Sequence, residues 1–155
     1  MNWFKTLLGV KRKSTQKVKV TSLEEFIGSL KNSKSPRTQM DVFYEEQIVM
    51  QVYNQYDVKN WDMELPETLY KEGGILVELS FNKNKRNNKA NLERFKEAHF
   101  FSEFVLFEEG ITESYFLPIS SLVSDKAIER KISEIIYSVY NLEKSDQLDV
   151  LVRSF

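Results

Sequence analysis

Hydrophobic and polar residues alternate most cleanly from Gly73 to Asn82. There Ile75, Val77, Leu79 and Phe81 share one face, and Leu76, Glu78, Ser80 and Asn82 share the other. A period of two with an apolar and a wetter side predicts a strand buried on one face. Two glycines punctuate its start, and a polar, basic loop from Asn82 to Lys89 closes its end. Elsewhere the period becomes that of a helix. Leu23, Phe26, Ile27 and Leu30 form one stripe, preceded by two overlapping capping boxes, Thr21 with Glu24 and Ser22 with Glu25. Asn91 to His99 predicts a helix that buries Leu92, Phe95 and His99. The longest helix, Lys126 to Leu142 with Ser124 or Asp125 as its cap, carries Ile128, Ile132, Ile135, Ile136, Val139 and Tyr140 on one side.

The remaining segments read as strands. Gln39 to Tyr44 and Gln47 to Asn54 are rich in branched and aromatic residues, with Glu45-Glu46 as a turn between them. Ile48, Val49, Val52, Tyr53 and Tyr56 also fit a helical stripe, so composition rather than period favours strands over residues 39–56. Phe104 to Phe107 and Ile111 to Leu117 form a hairpin across Glu108-Glu109-Gly110, and Pro118 is expected to end it. Leu148 to Phe155 reads as a terminal edge strand on which Arg153 discourages unwanted pairing. From residue 22 the order is α-β-β-β-α-β-β-α plus a terminal strand. That is an α+β fold: a mostly antiparallel sheet flanked by helices. Ile75, Val77, Leu79, Phe81, Leu92, Phe95, Ile132, Ile136 and Val139 are expected to make one continuous core.

Charge divides the chain. Residues 1–20 carry Lys5, Lys11, Arg12, Lys13, Lys17 and Lys19 and no acid; a net charge of −1 for the whole therefore leaves −7 on residues 21–155. The expected organisation is a basic arm, 1–20, before a single domain, 21–155. In the arm, Trp3, Phe4, Leu7 and Leu8 form the stripe of a short amphipathic helix, followed by Lys11-Arg12-Lys13. This stretch lacks the pattern of a signal peptide and falls short of the about 20 apolar residues needed to span a bilayer. It suits either an anionic membrane surface or a frayed terminus that docks on its own body or on a partner. The acidic body argues against nucleic acid as a partner. Eleven Phe, seven Tyr and two Trp in 155 residues supply a sizeable core, and the absence of Cys excludes disulfides, thiolate metal sites and a thiol nucleophile.

No constellation with catalytic spacing emerges. Asp62, Glu64 and Glu67 lie on a connection, Asp57 to Glu72, whose proline and missing ligands do not make a metal cage. His99, the single histidine, has neither a nucleophile nor an orienting carboxylate at a recognisable spacing. Lys83, Lys85, Arg86 and Lys89 could grip a phosphate or an acidic partner, but there is no glycine-rich cradle for a nucleotide. The expectation is therefore no catalytic residue, no metal and no cofactor.

Local sequence resembles the type III secretion chaperone-like group, including the bacterial domains called TY-Chap. Glu78-Leu79-Ser80-Phe81-Asn82 looks like that family's strand ending in an E-V-S-S-N segment. Leu92 to Phe101 resembles its L-x-x-L-G-[WF] helix end, and Ile135 to Leu142 its final helix, which ends in V-[YF]-G. Ala98-His99-Phe100 and Asn141 depart from it where glycine would stand. The resemblance covers residues 22–150. It implies a non-enzymatic, protein-binding domain of a bacterial cytoplasm, chaperone-like or of accessory or immunity type and often dimeric. The alternative is a peripheral membrane adaptor that uses Trp3, Phe4, Leu7, Leu8, Lys11, Arg12 and Lys13. The partner surface is expected at Phe104 and Leu106 of the hairpin and at Leu148, Val150 and Val152 of the terminal strand. A second copy of the chain is the simplest cover for it.

Overall fold

The computed structural model describes residues 16–19, 23–33, 38–54, 74–143 and 145–154. The capping boxes at Thr21 and Ser22, the amphipathic segment of the arm and the Asp57 to Glu72 connection lie outside these residues. The described chain is an α+β fold with the expected element order. Its strands are β1 (Gln16–Lys19), β2 (Thr38–Tyr44), β3 (Gln47–Asn54), β4 (Gly74–Asn82), β5 (Val105–Glu108), β6 (Thr112–Ser120) and β7 (Gln147–Ser154). Its helices are α1 (Glu24–Lys31), α2 (Arg86–Glu97) and α3 (Asp125–Tyr140), with a 3₁₀ turn at Phe101–Glu103. The strands form one antiparallel sheet in the order β1-β7-β2-β3-β4-β6-β5.

This order corrects two expectations. Gln16–Lys19, assigned to the basic arm, is the outermost strand on one side of the sheet, paired antiparallel to β7. The terminal strand is consequently no edge: β1 flanks it on one side and β2 on the other. Residues 39–54 are strands, settling the ambiguity of period. The two-residue link Glu45-Glu46 has φ of 48° and 65°, the left-handed geometry of the tight hairpin turns whose twist matches their strands. Asn-Gly is the usual occupant of such a turn, so two glutamates hold it at some cost.

β4 starts at Gly74, where φ is 132° and a Cβ would lie 2.2 Å from the Ile119 carbonyl oxygen. Only glycine fits this close approach to β6. Pro118 does not end β6, which continues to Ser120 with Pro118 opposite Leu76. β5 has stopped opposite Phe116, so no strand on that flank asks for the N–H that proline lacks.

The three described helices pack on one face of the sheet, and one cluster joins them to it. It contains Ile75, Val77, Leu79 and Phe81 from β4, Leu92 and Phe95 from α2, and Ile128, Ile132, Ile135, Ile136 and Val139 from α3. All nine expected core residues are in it. Ser124 caps α3, accepting from the Ala127 N–H at 3.2 Å, and Asn141 closes that helix in the left-handed conformation. Leu23, at the N-cap of α1, offers no side-chain cap. Instead Glu129 of α3 accepts from the Leu23 and Glu24 N–H groups at 2.8 and 2.7 Å, and the Asn54 side chain donates to the Leu30 carbonyl. α2 begins at Arg86, five residues before the apolar pattern, because its polar first turn needs no buried side. His99 lies beyond its end, 76 % exposed and paired to Glu134 at 2.8 Å, rather than buried as expected.

Candidate protein interface

The pleat that turns Ile75, Val77, Leu79 and Phe81 toward the helices turns Leu76, Glu78 and Ser80 to the opposite face. Among the described residues the cluster there takes nothing from a helix; it consists of Tyr53, Leu76 and Phe116 with Val105 and Phe107 packed against it. Phe107 and Phe116 meet edge to face, 5.2 Å between ring centres. Beside this cluster runs a polar row across five strands. Asp41 is fully buried; its Oδ1 accepts from the Gln39 and Gln51 amides at 2.9 Å each, and its Oδ2 is ion-paired with Arg153. The Tyr53 hydroxyl donates to Glu78 Oε2 at 2.6 Å, Ser80 donates to Glu78 Oε1 at 2.8 Å, and the Ser80 and Ser114 hydroxyls lie 2.8 Å apart. Burial, and then the Glu78 carboxylate beside it, push the Tyr53 phenol far above its usual range, which keeps it a donor.

Asp41 Oδ2 is held by its ion pair with Arg153 without a hydrogen bond, and the other groups hydrogen-bond one another. Asp41 and Glu78 are two strands apart with Gln51 between them, about 10 Å from the strand spacing alone, and their oxygens are already engaged. Such a network fixes strand register and offers no activated nucleophile or poised acid. On the helix side, Glu113 is a buried carboxylate. Burial alone would raise its pKa, but hydrogen bonds from Lys83, Tyr115 and Lys96 at 2.9, 2.8 and 3.1 Å hold it down at about 2. It locks α2 and the loop before it onto β6. Among the described residues no three metal-ligating side chains come together, and no helix is long and apolar enough to cross a membrane.

The expected partner residues separate. Leu148 and Val150 are buried and Val152 packs against the core, because β7 sits inside the sheet and points them at the helices; they are corrected from surface to core. Phe104 is also core, meeting Phe95 edge to face at 4.9 Å. Leu106 alone is presented, 46 % exposed, on β5. Among the described residues β5 pairs with β6 alone and is the sheet edge opposite β1; strand alternation turns Val105 and Phe107 toward the second face, and a bulge lies between Leu106 and Glu108. Ile111, 65 % exposed, extends the apolar surface at the hairpin loop. Trp3, Phe4, Leu7, Leu8, Lys11, Arg12 and Lys13 lie outside the described residues.

The polar row went unread because its members come one or two at a time from five strands. Glu78 and Ser80 on the wetter parity of β4 were its one local trace. Comparison with protein-family models, with curated proteins and with solved structures returned no match to this chain.

Proposed function

We propose that the chain is a non-enzymatic protein-binding module whose contact surface is the β5 edge together with the adjoining apolar patch. The observation that carries this is the outer flank of β5, which pairs with no strand among the described residues and where exposed Leu106 stands between half-buried Val105 and Phe107. An open edge offers main-chain hydrogen bonds, and alternate side chains offer two apolar contacts on one face and one on the other. The resemblance to chaperone-like domains, with the same element order, supports this reading by analogy. The partner is a polypeptide, either a client or a second copy of the chain.

Photo-crosslinking in the native cell tests it. A benzophenone amino acid placed at Leu106 should give a discrete adduct, and the same label at the exposed Ser138 of α3 should not. An adduct at twice the chain mass would identify a second copy. No adduct at Leu106, or equal adducts at both positions, would remove the β5 edge as the interface.

A further inference from the structure

Positive charges on the described body are mostly spoken for. Lys31 meets Asp125, Lys83 and Lys96 meet Glu113, Lys126 meets Glu129, Lys131 meets Glu103 and Arg153 meets Asp41. Among the described residues, four cations at the start of α2 and along it have no carboxylate: Lys85, Arg86, Lys89 and Arg94. Arg130 on α3 is a fifth, by itself. Arg86, Ala90 and Arg94 follow one another at every fourth position. All three line a groove of about 510 Å³ between the β2–β3 hairpin tip and the facing ends of α2 and α3. The small Ala90 leaves room between the two guanidiniums.

Arg94 is held in place without being neutralised. Its Nε donates to the Val139 carbonyl at 2.8 Å and its Nη2 donates to the Asn91 side-chain oxygen. The helix adds to the positive field, since no side chain caps α2 and its first turn holds no acid. Ile48 and Leu142 give the groove an apolar wall, and Glu45 is the one acid lining it. Eight residues of helix separate Arg86 from Arg94 by about 12 Å, so they form a stripe rather than a cradle around one small ion.

We propose that this groove binds an acidic segment of a polypeptide partner, with carboxylates on Arg86 and Arg94 and an apolar side chain against Ile48. The proposal rests on the reading of the chain as a protein-binding module but uses a surface separate from the β5 edge. A nucleic acid fits less well. Its phosphates recur every few ångströms and would meet Glu45 at the rim, where a peptide can place a neutral residue.

The test is a titration of the ¹⁵N-labelled full chain, at low salt, with a short peptide alternating Glu and Ala. The same-length Gln-Ala peptide and a short oligothymidylate serve as comparison ligands. Saturable shifts at the Arg86 to Asn91 amides and at Arg94 Nε–H are expected with the Glu peptide only. Arg86→Glu should weaken binding about tenfold, and Arg94→Lys, which keeps the charge but loses the fork, several-fold. Leu106→Lys should leave it unchanged, which separates this groove from the β5 edge. Scattered or absent shifts, equal binding of the Gln peptide, tighter binding of the oligothymidylate, or indifference to both arginine variants would overturn the proposal.

Discussion

The two faces of the sheet are built from the same strands yet solve different problems. The helix side is a continuous apolar cluster in which Phe95 stacks on Phe81 at 5.5 Å and meets Phe101, Phe104 and Tyr115 edge to face at 5.1, 4.9 and 4.9 Å. Its buried acids, Glu113 and Glu129, tie elements together at the margins. The second face sets a small apolar cluster beside a hydrogen-bonded and ion-paired polar row. Nondirectional burial holds the first face, and geometry-dependent pairing holds the second. The first tolerates volume-conserving change; the second tolerates loss of a whole pair better than loss of one partner.

The largest expected effect is on the helix side. Phe95→Ala should lower the unfolding free energy by about 3–5 kcal/mol in chemical denaturation, since five neighbouring rings cannot all close the cavity. A loss below about 1 kcal/mol would mean that this side is loosely packed and the contrast misdrawn.

On the second face, Asp41→Ala should cost about 2–3 kcal/mol. This is less than the about 3–5 of a fully buried pair, because Arg153 keeps contact with water. The double variant Asp41→Leu with Arg153→Met should recover most of that loss, whereas a double variant as unstable as the single one would show that packing, not pairing, governs this face.

Glu113 offers a pH test of the polar exception on the helix side. Its folded pKa of about 2 lies below the unfolded value of 4.5, so the unfolded state binds more protons between them. The stability it contributes is therefore complete above about pH 5 and is lost as pH falls toward 2. Denaturant midpoints of the wild type should drop across that window. Glu113→Gln should flatten the drop and cost about 1–3 kcal/mol at neutral pH; an unchanged pH profile would remove Glu113 from this role.

The smallest effect concerns the turn that sets which residue faces which way. Glu45→Asn with Glu46→Gly relieves two left-handed glutamates and should stabilise by about 1 kcal/mol, seen as a modest rise in Tm with unchanged far-UV spectra. A fall in Tm would mean that the glutamates contribute contacts worth more than the relief.

Much of the fold was legible in the chain. Residues 74–82 announced β4 by alternation, and Ile128 to Tyr140 announced α3 by its stripe, because burial on one side imposes a period. The Glu45-Glu46 link was visible as a break between two runs of branched and aromatic residues. β1 was not legible: Gln-Lys-Val-Lys is four residues long and carries the charge of the arm before it. The candidate surface was legible only in part. Leu106 was flagged by the surplus of apolar residues in its hairpin, but Phe104, its neighbour on the same parity, is taken into the core by Phe95. The cations of α2 were noticed as a basic loop, without the helix that sets Arg86 and Arg94 on one stripe.

The sequence by itself determined the periods, the order of elements and the identity of the core, since each depends on neighbours a few residues apart. Tertiary structure alone decided which strand lies at an edge. It also decided that Leu148 and Val150 are interior, that Glu129 caps a helix more than 100 residues away, and that Asp41 meets Arg153. Pairing energies between distant segments leave no periodic trace along the chain. A strand becomes an edge or an interior member according to what another segment does.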